Sequence, residues 1–317
     1  MSDNFHTLVV ANPQSQNGAL GRKWPKLERV IAERFGTFDH RFTERAGDAS
    51  VIARRAVVEE GYEMVVAMGG DGTISEVVDG LFTEQGPVQP EAVLGVLPFG
   101  TGGDFRKTMG VSKKLPVGAA SLRGRSTRTI DVGRLSFADN QGQPRVRHYI
   151  NIASFGIGGL VDQLVNNSTK AFGGRVSFAV ATFRAMRRFT PQRARVRLDG
   201  GEPQEVTLHN IAVANGQYFG GGMWIAPEAQ LDDGKFDVVT LGAMTMSDLI
   251  FRMNRVYKGK HLELPQVSQT RAARVEAEPV DPDEAILLDV DGETPGKLPA
   301  TFDLLPKTLR LKWPEEQ

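Results

Sequence analysis

The apolar run Met64-Val65-Val66-Ala67-Met68 passes directly into Gly69-Gly70-Asp71-Gly72-Thr73 and then into a helical spacing of Ile74, Val77, Val78 and Leu81. A short buried strand that turns through glycines into a helix is the building step of an open α/β sheet. The step recurs along the chain. Thr7-Leu8-Val9-Val10-Ala11 stops at Asn12-Pro13 and is followed by Leu27, Val30, Ile31 and Phe35 at helical spacing. Val93-Leu94-Gly95-Val96-Leu97-Pro98 runs into Phe99-Gly100-Thr101-Gly102-Gly103-Asp104-Phe105 and a helix near Asp104–Met109, and another helix is expected through Val51, Ile52, Ala56 and Val57. Strands alternating with helices predict a mostly parallel sheet covered on both faces, here over residues 1–130.

After Asp131 the texture changes to short runs of β character: Tyr149–Ser154, Ala194–Leu198, Asn210–Ala214, Phe236–Leu241, Arg274–Ala277 and Ile286–Val290. They predict an antiparallel β-sandwich over 131–305, with helices around Phe172–Phe189 and Met246–Tyr257 and a loop at Gln266–Thr270. Within 306–317, Thr308–Trp313 alternates apolar and polar residues and reads as a strand that returns to either domain. Two domains also suit 317 residues, more than a single core usually holds together. The absence of cysteine excludes disulfides, thiolate metal sites and cysteine nucleophiles. With 38 basic against 38 acidic residues, any basic surface is local, and nucleic-acid binding has no support. No basic, apolar leader and no run of ~18 apolar residues is present, so a cytoplasmic protein is expected, one that visits a membrane rather than spanning it.

Gly69–Thr73 carries the sharpest chemistry. Glycines let a backbone approach a phosphate, the following helix offers unpaired N–H groups, and Asp71 adds a carboxylate for a metal or a proton. A plain tight turn with Asp71 as helix cap would use the same residues. That plainer account leaves unexplained a second glycine turn, Gly100–Asp104, at an equivalent strand end, the edge where open α/β sheets bind ligands; a third polar turn there, Asn12–Gly18, reads equally well as an ordinary loop when taken alone.

In this order, Asn12-Pro13, Gly69-Gly70-Asp71-Gly72-Thr73, Gly100-Thr101-Gly102-Gly103-Asp104-Phe105, Asn151-Ile152-Ala153-Ser154-Phe155-Gly156, Gly220-Gly221-Gly222, Pro227-Glu228-Ala229, Asp232-Asp233-Gly234 and Asp291-Gly292-Glu293 resemble the diacylglycerol-kinase catalytic-domain family, which includes bacterial lipid kinases and the related sphingosine and ceramide kinases. The resemblance covers nearly the whole chain and implies an NAD-kinase-like first domain. It also implies magnesium-dependent transfer of a phosphoryl group from ATP to a lipid hydroxyl. Asn12, Thr43, Gly69, Gly70, Asp71, Gly72, Thr73, Ile74, Ser75 and Thr101 would then surround ATP. Asp71, with Asp131, would hold the catalytic magnesium, and Glu293 would be the general base. A structural magnesium is implied at Gln230, Asp233 and Lys235, through the Asp233 side chain and the other two carbonyls; a simple Asp-Gly hairpin reads equally well there.

Two positions depart from the family's pattern. Ser75 stands where asparagine is frequent, and Gly102-Gly103 stands where Ala-Asn precedes the aspartate. They leave nucleotide preference and turnover open, and with them the alternative of a catalytically weak nucleotide- or lipid-binding regulator. A soluble acceptor of the NAD-kinase kind is a further alternative, opposed by the downstream motifs. Arg184, Arg187 and Arg188, continuing into Arg193, Arg195 and Arg197 beside Phe183, Met186 and Phe189, form a local basic stretch suited to anionic headgroups, or else a solvated face. A homodimer is left open.

Overall fold

The computed structural model describes residues 4–100, 102–159, 189–243 and 254–313. Thr101, Arg184, Arg187 and Arg188 lie outside them, as do most of the helical stretches expected at Phe172–Phe189 and Met246–Tyr257. The chain divides into two compact units, one of residues 1–132 and 306–317 and the other of residues 133–305.

The first unit is a parallel sheet. β1 (Thr7–Ala11) lies between β2 (Asp39–Phe42) and β3 (Met64–Gly69), and β3 pairs in turn with β4 (Val93–Pro98). α1 (Ser15–Arg34), α2 (Asp48–Val58), α3 (Asp71–Gly80), α4 (Asp104–Met109) and α5 (Leu115–Ala120) fill the connections. Both faces of the strands are covered. Val9, Ala11, Val66, Met68 and Leu97 pack with Leu20, Trp24 and Ile31 of α1, while the alternating Leu8, Val10, Val65, Ala67, Leu94 and Val96 are equally buried. Each of the valines, leucines and methionines among them stabilises the fold by about 1.5–3 kcal/mol relative to exposure. α2 and α3 meet closely, and a side chain at Gly80 would strike the Ser50 carbonyl oxygen at 2.2 Å.

The second unit is antiparallel. β5 (Arg128–Asp139) enters it and forms a hairpin with β6 (Pro144–Tyr149). The chain bends at Ile150 and Asn151, so the expected Tyr149–Ser154 strand is two strands, and β7 (Ile152–Gly156) follows. β8 (Gln192–Leu198), β9 (Gln204–Ala214), β10 (Phe236–Gly242), β11 (Val267–Ala272), β12 (Arg274–Pro279), β13 (Leu288–Val290) and β14 (Gly296–Leu311) are the further strands of the main sheet. β9 organises them. On one edge its first half pairs with β8 and its second half with β7, and its register with β10 breaks between Leu208 and Asn210. Leu208, Ile211 and Val213 of β9 join a core with Phe155, Phe236 and Phe302, whereas Ala212 and Ala214 pack with Ile225, Ala226 and Val239.

The loop expected at Gln266–Thr270 is instead strand β11, paired with β10 from Leu241↔Val267 to Phe236↔Ala272. Only Val267 and Ala272 of it are buried, so an edge strand with a polar outer face left little apolar alternation to read. β14 leaves the second unit and re-enters the first, where Arg310 and Leu311 pair in parallel with Val93 and Leu94 of β4. Among the described residues no helix is long and apolar enough to cross a membrane.

Candidate active site

Three turns at the carboxyl ends of β1, β3 and β4 are joined to one another. Asn12 Nδ2 donates to Thr73 Oγ1 at 3.4 Å, and Gln16 Nε2 donates to the Gly100 carbonyl at 3.5 Å. Phe99 N–H donates to the Gly69 carbonyl at 2.7 Å. The first turn opens α1 through Gln16, Asn17 and Gly18 at φ 53°, 56° and 78°, a left-handed turn that most residues adopt only at a cost. At the second and third turns glycine is required by space. A side chain on Gly100 would come within 2.7 Å of the Gly70 Cα, and one on Gly69 within 2.4 Å of Thr73 Oγ1.

Gly100→Ala therefore has to push two backbone turns apart. We expect it to weaken nucleotide binding at least about tenfold, some 1.4 kcal/mol, as isothermal titration would measure. Binding equal to wild type would show that the two turns do not form one site.

Asp71 does not cap its own helix, whose N-cap is Gly70. Its carboxylate reaches the next turn and accepts N–H bonds from Gly103 at 2.9 Å, Asp104 at 3.0 Å and Phe105 at 3.2 Å, the start of α4. Gly103 has φ 64°, the left-handed conformation that glycine and asparagine share, so the glycine in place of the family's asparagine preserves the backbone. Gly102 makes room for the acid: a side chain there would sit 3.2 Å from Asp71 Oδ2 and 3.9 Å from Asp104 Oδ2. Burial, and then the neighbouring Asp104 charge, push the Asp71 carboxyl above the usual carboxylate range, against the three N–H bonds that lower it.

Asp104, a member of the third turn with no role assigned from sequence, is thus part of the constellation. It is buried and paired with Lys107 Nζ at 2.7 Å. The signal for it was present in Gly103-Asp104-Phe105, but its approach to Asp71 depends on two turns 33 residues apart. Asp71 and Asp104 carry oxygen donors of the kind a magnesium ion takes, with three N–H donors leaving Asp71 about one of its four lone-pair positions and Lys107 sharing Asp104 Oδ1.

The remaining expected residues are distributed unevenly. Thr43 is buried just beyond β2, its N–H on the Ala11 carbonyl at 3.1 Å, at the same sheet edge. Ile74 packs its side chain inward, 3% exposed, and its N–H donates to the Gly70 carbonyl at 3.2 Å. Ser75 is buried on α3, and its hydroxyl has no hydrogen-bond partner among the described residues. Asp131 is fully buried on β5 and accepts the Lys307 N–H at 2.7 Å, which fixes the entry of β14 into the first unit.

Within the second unit, Glu293 follows a two-residue turn of the I′ type, Asp291 at φ 50° and Gly292 at φ 88°, closed by the Val290–Glu293 bridge. Asp289 Oδ1 accepts the Gly292 N–H at 3.0 Å and Asp289 Oδ2 the Ser154 hydroxyl at 3.2 Å, tying the turn to β7. Arg147 on β6 donates to Glu293 Oε2 at 3.0 Å, and the glutamate side chain remains 41% exposed. A carboxylate held on one oxygen and open on the other can accept a proton.

The turn expected to hold a structural magnesium is built differently. Asp233 Oδ1 accepts the Lys235 N–H at 3.1 Å, its Oδ2 is taken by the Arg271 guanidinium, and Lys235 Nζ pairs with Asp199 at 2.9 Å. Among the described residues no group of three or more acidic or histidine side chains is arranged to hold a metal. In this turn the Asp233 oxygen that faces away from the backbone meets a guanidinium.

Residues 6–135 match the family described as the diacylglycerol kinase catalytic domain, and residues 151–313 match the YegS C-terminal NAD kinase beta sandwich-like domain. The chain is 30% identical over 315 residues to a diacylglycerol kinase of Bacillus subtilis, covering 98% of this chain and 96% of that protein. It is 28% identical over 311 residues to a diacylglycerol kinase of Staphylococcus carnosus, covering 97% and 95%. A crystal structure from Bacillus anthracis superposes with a TM-score of 0.77 at 21% identity, covering 99% of this chain and 96% of that one. An NAD kinase from Archaeoglobus fulgidus in complex with ATP superposes at 0.52 and 11%, covering 98% and 94%, a likeness of fold alone.

Proposed function

The chain belongs to the diacylglycerol-kinase catalytic-domain family and is a lipid kinase, and from that premise we propose that it transfers the terminal phosphoryl group of ATP, with magnesium, directly to the hydroxyl of diacylglycerol or a related lipid. The observation that carries this proposal is the joined set of three strand-end turns with Asp71 and Asp104 inside it. Phosphoryl transfer asks a protein for positioning and charge neutralisation more than for covalent chemistry. The backbone N–H groups of the Gly70-Asp71-Gly72 turn bind phosphate oxygens, the Thr73 N–H being held by the Gly70 carbonyl at 3.1 Å; Asn12 and Thr43 border the nucleotide, and Thr101, next to Gly100 in sequence, adds to its surround. Asp71 and Asp104 would hold the magnesium ion, which supplies positive charge to the terminal phosphates. Asp131 supports the site from its fixed place on β5. Glu293 accepts the hydroxyl proton at Oε1, since Oε2 is held by Arg147.

Access to the acceptor is proposed to be by peripheral contact with anionic lipid through Arg184, Arg187 and Arg188. Arg193, Arg195 and Arg197 do not extend that surface, because Arg193 pairs with Glu205 at 2.8 Å, Arg195 with Glu278 at 2.7 Å, and Arg197 lies 3.9 Å from Glu276. Their charge is spent across the strands.

The test is transfer of labelled phosphate from ATP and magnesium into a panel of diacylglycerol, monoacylglycerol, ceramide and sphingoid base in mixed micelles. One lipid labelled well above the others names the acceptor. Label appearing in NAD and in none of the lipids would refute the lipid acceptor.

A further inference from the structure

Because Asp233 meets a guanidinium where the resemblance implies a cation, the turn that carries it needs an account of its own. Gln230–Lys235 delivers the chain into β10 through Gly234 at φ 77°, and it has to be pinned for that strand to start in register. Two carboxylates stand along this entry. Asp233 is in the turn, and Asp237 is one residue inside β10, fully buried. Burial raises the Asp237 carboxyl above its ordinary range, with Asp233 and Glu228 adding to that effect and Arg271 and Gln269 opposing it. Such a pair calls for a positive charge between its members.

The neighbouring strand supplies it. In the β10–β11 ladder Arg271 is the direct cross-strand partner of Asp237, so its side chain leaves the sheet on the same face. The guanidinium donates through Nη2 to Asp233 Oδ2, and its Nε lies 4.0 Å from Asp237 Oδ2. Gln269, two residues away and on the same face, donates to Asp237 Oδ1 at 2.5 Å and reaches Glu228 at 3.4 Å. The Lys235 ammonium is engaged elsewhere, on Asp199. A planar fork with several donors can span two carboxylates at fixed positions, as a hard divalent ion would.

We infer that Arg271 occupies the position of a divalent cation in this chain, and that the Gln230–Lys235 turn is pinned to β11 by an organic cation and needs no metal. The two solutions compete at Asp233 Oδ2, since a metal ion there would have to displace the guanidinium. Removing the guanidinium would uncover the carboxylates and create a metal dependence that the native chain lacks.

Thermal unfolding of the full chain without nucleotide tests this, carried out in a background of Asp71→Asn so that the other proposed magnesium position is silent. The readout is the melting midpoint, so failure of the kinase proposal would leave the result intact. With Arg271 present, the midpoint should be the same in EDTA and in millimolar magnesium. Arg271→Ala should lower it by about 2–4 °C in EDTA, and magnesium should restore most of that loss. Adding Asp233→Asn should abolish the restoration. Arg271→Lys, which keeps the charge without the fork, should fall between, and it carries the test if the alanine variant does not fold. Three results would overturn the inference: a magnesium-dependent rise with Arg271 intact that Asp233→Asn removes, an unchanged midpoint for Arg271→Ala in EDTA, or a loss that magnesium does not restore.

Discussion

Glu293→Gln should lower kcat for lipid phosphorylation by about 10²–10⁴-fold, the usual contribution of a positioned proton acceptor, and leave KM for ATP nearly unchanged. The substitution keeps shape and keeps an oxygen for Arg147, so the ion pair becomes a hydrogen bond from the guanidinium to an uncharged amide while the turn is undisturbed. It removes only the ability to take up a proton. The turn itself is held by Asp289, through Gly292 and Ser154, and by the Val290–Glu293 bridge, none of which uses the glutamate side chain. A partly exposed arginine–carboxylate pair contributes only about 0–1 kcal/mol to stability, so the melting midpoint should hardly move. A kcat within a few-fold of wild type, with folding intact, would remove Glu293 from the chemistry and leave it as an ordinary turn acid.

Asp71→Asn should be at least as damaging, about 10³-fold in kcat, with loss of the magnesium requirement as its signature. The asparagine retains one oxygen for the N–H groups at the start of α4, so the turn keeps a partner for part of its donor set. Nucleotide binding measured without metal should survive, while magnesium should no longer strengthen it. A second readout separates charge from shape. The folded-state pKa of Asp71 is raised, first by burial and then by Asp104. Its protonated form therefore stabilises the fold below the ordinary carboxylate range, and that contribution is lost as pH rises through the raised value. Metal-free wild type should lose stability across that interval, and Asp71→Asn should lose less. Equal slopes in the two proteins would mean that Asp71 is not a strained, desolvated acid, and an unimpaired kcat would remove it from the site altogether.

What could be read from sequence follows the range of the forces involved. The steps β1–α1 and β3–α3 and the strand β4 were legible because a two-face-buried parallel strand is a continuous apolar run, and because glycine at its end has a steric cause. Gly69, Gly100 and Gly103 mark a local crowding or a left-handed φ that each position shows directly. The partnership of Asp71 with Asp104 was not legible, although both stood in recognised turns, since it arises where two turns approach in space. Ile74 stands within the glycine motif and also on the apolar side of α3 with Val77 and Val78, a placement that helical periodicity makes legible. β11 and Arg271 were hidden for a further reason. Val267–Ala272 is an edge strand of mostly polar residues, and the role of its arginine depends on register with β10, which no local pattern encodes.

The return of β14 to the first unit has a consequence for the order in which that unit can be finished. Its sheet is not complete when residue 132 has been made. Until residues 306–313 arrive, β4 has one edge with no partner, and the Leu94 carbonyl lacks the Lys312 N–H that it accepts at 2.8 Å. On the ribosome the first unit therefore waits, with an apolar edge strand open to other chains, while the whole second unit is synthesised. Residues 306–313 thus act as a late closing piece of the earliest-made sheet, and shortening the chain at Leu305 would remove a strand from the first unit although the cut lies more than a whole unit downstream.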